Sequence, residues 1–119
     1  MSEKEPSEIA LKAEALLAKK CVSTSENVLY VAAFETKTKH ALALAPYRKH
    51  IYLWTESVFD RVPIELQGFL KRSYAKDAPR SSNLNDKNCK KLKRGNPVDY
   101  WKFELLGDLE KFVDWYNII

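Results

Sequence analysis

The chain has few of the residues that build covalent or metal-held frameworks. Its 119 residues include two cysteines, Cys21 and Cys89, and two histidines, His40 and His50. Neither cysteine has a partner at C-x-x-C spacing, and neither histidine lies at zinc-site spacing from a cysteine. A secreted disulfide scaffold would be denser in cysteine, so we expect two free thiols and a cytoplasmic protein. We expect no metal site and no cofactor.

Glycine is also scarce, and long apolar runs are missing. The three glycines, Gly68, Gly95 and Gly107, cannot form a G-x-x-x-x-G-K or G-x-G-x-x-G phosphate loop. No apolar run approaches the roughly 20 residues that a membrane helix requires. The start, MSEKEPSEIA, has neither the basic nor the apolar region of a signal peptide. We therefore expect no membrane partner.

What is present is the composition of a small globular protein. Hydrophobic residues make up 45% and charged residues 30% of the chain, which argues against wholesale disorder. A chain of this length corresponds to one domain, so residues 1–119 are expected to fold together.

The hydrophobic pattern predicts an α+β fold in the order α-β-β-β-α-loop-β-α. Helices are expected at 6–20, 63–75 and 107–119, with a short helical turn after Ser57, and strands at 28–35, 40–46, 49–56 and 98–106. Three strands joined by short turns are typical of an antiparallel meander. We therefore predict a small, mostly antiparallel four-stranded sheet with the helices packed on one face.

Positive charge is concentrated in one segment. Residues 71–94 hold nine basic and two acidic residues, a net charge of +7, whereas the rest holds eleven basic and fourteen acidic residues, a net −3. Much of this segment falls in a long loop at about 76–97, rich in Ser, Asn, Pro and Gly. Structureless loops of this length are uncommon in compact domains and are often functional. The charge asymmetry indicates an anionic partner.

Nucleic acid is the partner that this composition favours. Lys and Arg neutralise phosphates, and neighbouring aromatic rings stack on unpaired bases. The candidate residues for binding nucleic acid or another partner are Lys71, Arg72, Lys76, Arg80, Ser82, Asn83, Lys87, Lys90, Lys91, Lys93, Arg94, Tyr74 and Trp101. The alternative is a solvated loop whose lysines contact only water, followed by a strand whose aromatic residues are core.

Two shorter features allow similar alternatives. Arg80, Ser82 and Asn83 lie in DAPRSSNLN, a dense set of donors for phosphate or adenine, but Ser and Asn also favour ordinary turns. Tyr52 and Trp54 form a possible aromatic pair, since alternate residues of a strand share a face. Such a pair is either exposed for stacking or part of a second core face.

Signals for catalysis are weak. Glu35 and Lys37 have the E-x-K spacing of metal-dependent nucleases, but no aspartate precedes Asp60 to complete the metal site. A thiolate–imidazole pair would have to use one of only two histidines, without an orienting signature. The sequence therefore favours a protein that is not an enzyme.

Two functional hypotheses follow. The first is a non-enzymatic nucleic-acid-binding domain that uses the basic loop for phosphates and nearby aromatic rings for bases. The alternative is a protein-interaction module, such as an inhibitor, immunity or adaptor protein, whose basic loop docks on an acidic protein surface. The sequence leaves open whether the protein is a monomer or a homodimer.

Overall fold

The computed structural model describes residues 7–24, 32–45, 49–80, 84 and 89–119. Within these ranges the helices are α1 (Glu8–Lys20), α2 (Ile64–Gln67) and α3 (Leu106–Tyr116). The strands are β1 (Val22–Ser23), β2 (Ala32–Glu35), β3 (Ala41–Ala45), β4 (Ile51–Glu56), β5 (Leu70–Tyr74) and β6 (Val98–Phe103), and 3-10 turns lie at Phe59–Arg61 and Lys90–Leu92. The predicted α+β class is confirmed, but the sheet has six strands rather than four.

The sheet is antiparallel at every strand pair, in the order β1-β2-β3-β4-β6-β5. The chain leaves the sheet after β5 and returns as β6, which lies between β4 and β5. The register pairs Ala43 with Trp54 and Trp54 with Tyr100, so these three residues form one row across the centre of the sheet.

The two long helices pack together on one face of the sheet, as expected. The Ser7 side chain caps α1 by accepting a hydrogen bond from the Ala10 amide at 3.1 Å. In α3 the buried residues are Leu109, Phe112, Val113 and Tyr116, which lie at helical spacing on one face. Lys20 joins the two helices at their surface through an ion pair with Asp114 at 2.6 Å. The core between helices and sheet is therefore continuous from α1 to α3.

The prediction of one helix over 63–75 is wrong. Helix α2 covers only Ile64–Gln67, and residues 70–74 form β5, an edge strand paired with β6. Long-range pairing with β6 overrides the local helical spacing, which Gly68 already weakens. The two-residue strand β1 was also missed, because it is too short for a periodic signal.

The other predicted strands match within a few residues at each end. Of the strand expected at 28–35, residues 28–31 lie outside the described part of the chain, and β2 covers the remainder. The strand expected at 98–106 ends at Phe103, because α3 begins at Leu106. No helix in the described ranges has the length and apolar character needed to cross a bilayer.

The loop between β5 and β6 forms a third layer on the other face of the sheet. Leu84, Cys89 and Leu92 are buried there. They complete a second apolar cluster with the sheet residues Ala33, Ala41, Ala43, Trp54, Val98 and Tyr100. Alanine on β2 and β3 leaves room for the loop to lie close to the backbone of the sheet. The basic loop is therefore anchored to the sheet by its own apolar residues.

Candidate functional site

Arg80 holds the two ends of the basic loop together. Its guanidinium donates to the backbone carbonyls of Ala75, Lys76, Ala78, Leu92, Lys93 and Asn96. The first three carbonyls follow β5 and the last three precede β6. A guanidinium has five N–H donors in a rigid planar fork, which suits it to join several carbonyls at once. The donors of Arg80 therefore face the protein and not a ligand.

Three further hydrogen bonds tighten the same closure. The Gly95 amide donates to the Lys76 carbonyl at 2.6 Å, and Arg94 Nε donates to the Asp77 carbonyl at 2.9 Å. Gly95 has φ of 114°, a conformation that residues with a Cβ rarely adopt. Asn96 Nδ2 donates to the Lys90 carbonyl at 3.3 Å. These contacts bring the backbones of several cationic residues close together at the base of the loop.

Five exposed cations on β5 and at the base of the loop are together called the cationic surface: Lys71, Arg72, Lys76, Lys90 and Arg94. All five are exposed, and none forms an ion pair with a carboxylate among the residues that the structure describes. Burial, and after it the nearby charge of Arg94, lowers the pKa of Arg80. In the described residues of 71–80 and 89–97, basic residues therefore outnumber the acidic residues, of which Asp77 lies at the base of the loop.

Lys91 and Lys93 behave differently from the cationic surface. Lys91 Nζ lies 3.8 Å from the Glu35 carboxylate and donates to the Lys39 carbonyl. Lys93 is half-buried, and Arg80 holds its carbonyl. Lys91 thus fastens the loop to the β2–β3 turn instead of facing a partner.

A row of four aromatic rings crosses the sheet beside the cationic surface. The ring of Tyr52 lies 5.5 Å from that of Tyr100, Tyr100 lies 4.3 Å from Trp54, and Trp54 lies 5.2 Å from Tyr74, measured between centroids. The register places Tyr52 and Trp54 on one face of β4. The two middle rings are buried under the loop, whereas Tyr52 and Tyr74, at the ends of the row, are partly exposed.

Each of the two end rings carries a cation. Lys71 Nζ lies 5.5 Å from the centroid of Tyr52, and the Arg72 guanidinium lies 4.6 Å from that of Tyr74. Both distances are within the range of a cation–π contact. The partly exposed rings and the cationic surface therefore adjoin one another.

Trp101 is separate from this site. Its side chain has no exposed area, its Nε1 donates to Thr55 Oγ1 at 2.8 Å, and its ring packs on Phe112 at 4.6 Å. The expectation that Trp101 flanks a binding surface is thus corrected: the strand alternation places it on the helix-covered face. Ser82, Asn83 and Lys87 lie outside the described residues.

Lys102 belongs beside the site, although sequence reasoning did not include it. It pairs with Tyr52 across β4 and β6, and its ammonium lies 3.8 Å from the Glu104 carboxylate. The sequence did carry a signal for Lys102, because it lies two residues after Tyr100 and alternate residues of a strand share a face. Lys102 and Lys71 also line a cleft of about 440 Å³, together with Gly68, Phe69, Leu70, Glu104, Leu105 and Asp108.

Catalytic arrangements are not evident in the described part of the chain. No group of three or more His, Cys, Asp or Glu residues there could hold a metal ion. His40 lies between Glu56, with Nδ1 to Oε1 at 3.5 Å, and the Ile119 carbonyl, with Nε2 to O at 3.2 Å. These contacts tether the end of α3 to the sheet. Burial raises the pKa of the Cys21 thiol, which disfavours the reactive thiolate.

Comparison with protein-family models, with curated proteins and with solved structures finds no match to this chain.

Proposed function

We propose that this protein is a non-enzymatic nucleic-acid-binding domain of the cytoplasm, and that the cationic surface contacts phosphates. The observation that supports the proposal most strongly is the set of five exposed cations without a carboxylate partner among the described residues. Like charges concentrated in one part of the chain repel one another, and a polyanion relieves that repulsion. The N–H groups of Arg80 donate to carbonyls of the loop itself, so we assign Arg80 to ordering the surface and not to binding phosphate.

The physical basis of such binding is counterion release. Each phosphate that a Lys or Arg neutralises releases condensed cations, so affinity falls linearly with salt on a logarithmic scale, with a slope of about −0.7 per contact on single strands and −0.9 on duplexes. Four contacts therefore correspond to a slope of roughly −3 to −4. A protein that binds through this surface must show that dependence.

The test removes four charges from the cationic surface. The variant Lys71→Gln, Arg72→Gln, Lys76→Gln, Lys90→Gln leaves Arg94 in place because it holds the Asp77 carbonyl. The matched control removes four exposed charges elsewhere: Lys12→Gln, Lys19→Gln, Lys37→Gln, Lys111→Gln. Both variants have the same net charge, so any difference between them reports position.

Binding is measured by fluorescence anisotropy with labelled oligonucleotides at several salt concentrations. We expect the first variant to lose at least tenfold in affinity, with a salt slope flatter by roughly 3 units, and the control to lose much less. Equal losses in both variants would mean that only net charge matters. Absence of binding by the wild type at about 50 mM salt would eliminate the proposal, and capture of a single acidic protein would then favour the protein-interaction alternative.

A further inference from the structure

Strand β5 lies at one edge of the sheet. Among the described residues it pairs with β6 alone, and no strand follows it in the order of the sheet. An edge strand directs a row of N–H and C=O groups away from its neighbour, where another strand can bind them. We propose that β5 binds an acidic peptide in extended conformation, which adds to the sheet as a further strand. This binding goes beyond the proposed function and does not depend on it, although both use Lys71 and Arg72.

The exposed side chains of β5 select the charge of that peptide. Lys71, Arg72 and Ser73 are exposed. Lys71 Nζ lies 5.5 Å from the ring centroid of Tyr52, and the peptide-facing neighbour of Lys71 behaves alike, with its guanidinium 4.6 Å from the ring centroid of Tyr74. Both tyrosines pack against the second apolar cluster, so the two cations lie on that face of the sheet. Glutamate or aspartate at every second position of an extended peptide complements them.

The same cations disfavour a second copy of this chain as the partner. Two copies of β5 paired edge to edge would bring Lys71 and Arg72 of one copy close to those of the other, and like charges across a strand pair are destabilising. Lysine on an edge strand is one means by which proteins prevent such self-pairing. The register with β6 shifts between Leu70 and Arg72, so the regular part of the edge is short. An acidic strand is attracted where a second β5 is repelled.

A cleft at the start of β5 can hold one apolar side chain of the peptide. It has a volume of about 440 Å³, and its apolar lining includes Phe69, Leu70 and Leu105. Its charged lining consists of two lysines and two carboxylates, whose formal charges cancel. Residues 70–77 instead hold three basic residues and one acidic residue. We therefore expect an apolar residue of the peptide at the cleft and its acidic residues farther along β5.

This arrangement is the usual division of labour when a peptide extends a sheet. Main-chain hydrogen bonds supply affinity, and pockets for alternate side chains supply specificity. An added strand uses only the backbone amides that face β5, which are every second one. The two contributions can therefore be removed separately.

The first test uses synthetic peptides and the wild-type protein, with binding followed by calorimetry. The probe alternates glutamate with valine and ends in leucine, and a second peptide has lysine in place of glutamate. Two further versions of the probe carry N-methyl groups on its odd or on its even amides, which removes donors without changing charge. We expect the lysine peptide and one methylated peptide to bind about tenfold more weakly than the probe, whereas the other methylated peptide stays within about threefold.

Three outcomes would overturn the proposal. The first is no binding of the probe at about 1 mM, and the second is equal binding of the lysine peptide. The third is equal behaviour of the two methylated peptides, because an added strand presents only one set of amides to β5.

Variants then locate the peptide. Lys71→Glu with Arg72→Glu is expected to prefer the lysine peptide, whereas the control, Lys37→Glu with Lys111→Glu, has the same net charge and keeps the wild-type preference. Leu105→Ala is expected to weaken the probe about fivefold and to leave unchanged a probe that ends in alanine. All five side chains are exposed, so these variants are expected to fold. A reversed preference in the control, or equal effects of Leu105→Ala on both probes, would contradict binding at β5.

Discussion

At the scale of single residues, Arg80 shows that a cation in a basic segment can serve the fold. Sequence alone placed it with the phosphate-binding candidates, because a charge count does not distinguish outward from inward donors. Its guanidinium satisfies carbonyls of both loop ends, and its lowered pKa reflects burial first and the charge of Arg94 second. Lysine has the same charge but lacks the planar fork, so the position requires arginine.

We expect Arg80→Lys to destabilise the protein by about 1–3 kcal/mol, because several carbonyls lose their donor while the charge is kept. Urea denaturation followed by tryptophan fluorescence measures this change. Arg72→Lys is the matched control, since Arg72 is exposed and donates no hydrogen bond to the loop in the described structure; a change within about 0.5 kcal/mol is expected there. Equal effects at the two positions would show that Arg80 does not organise the loop.

Tyr116 makes stability sensitive to alkaline pH. Burial, and next the charge of Glu56, raises the pKa of its hydroxyl well above the usual 10.0. Because the pKa in the folded state exceeds that in the unfolded chain, the stabilisation is complete below about pH 10 and is lost as pH rises towards the folded pKa. The hydroxyl also donates to the Ala41 carbonyl at 2.6 Å and accepts from the Glu56 amide at 3.1 Å.

We therefore expect Tyr116→Phe to be less stable than the wild type by about 1–3 kcal/mol at pH 8, where both hydrogen bonds are intact in the wild type. The difference in unfolding free energy between the two proteins should shrink between pH 10 and pH 11. In that range the Tyr116 hydroxyl ionises in the unfolded wild type but resists ionisation in the folded protein, and the Phe variant has no such hydroxyl. Unfolding in urea at pH 8, 10 and 11 provides the measurement. A constant difference across this range would contradict the argument.

At the scale of elements, each face of the sheet carries a buried apolar cluster, one under the helices and the other under the loop. Phe112 in α3 and Leu92 in the loop have no exposed surface. We expect Phe112→Ala to cost about 3–5 kcal/mol and Leu92→Ala about 2–5 kcal/mol, as buried large-to-small substitutions do. Leu105→Ala is the control, because that side chain is 65% exposed. A cost under 1 kcal/mol for Leu92 would mean that the loop is only a loose cover.

The elements that the sequence predicted correctly carry local signals. The apolar spacing of α1 and of α3 is readable within one helix, and the alternation in β3, β4 and β6 is readable within one strand. β5 carries no such local signal, because its strand conformation depends on pairing with β6. Leu84, Cys89 and Leu92 are spaced too irregularly among polar residues to reveal a loop that packs on the sheet.

The site was only partly predictable for the same reason. Local charge density identified Lys71, Arg72, Lys76, Lys90 and Arg94, all of which are exposed in the structure. The hydrogen bonds of Arg80 and the ion pair of Lys91 form only when the loop closes on the sheet. The burial of Trp101 depends on which face the helices cover. These are tertiary facts that no short window of sequence contains.

At the scale of the whole molecule, the sheet separates the two cysteines. Cys21 belongs to the core under the helices and Cys89 to the core under the loop; both are buried, and they form no disulfide with each other. We expect a thiol reagent to modify two cysteines in denaturant without reductant, and neither within minutes in the folded protein. Fewer than two reactive thiols on denaturation would contradict both the redox state and the cytoplasmic location proposed above.

The position of β6 in the sheet has a consequence for how the protein is made. Residues 51–56 and 98–103 form the longest strand pair, yet some 40 residues of chain separate them. While the nascent chain is still emerging from the ribosome, β4 and β5 have no strand to join them, and α1 lacks the helix that packs beside it. Contacts this distant in sequence slow folding and leave apolar strand edges exposed in the interim. Residues 98–119 therefore decide when the domain can close, and a chain cut before Val98 is expected to aggregate instead of folding.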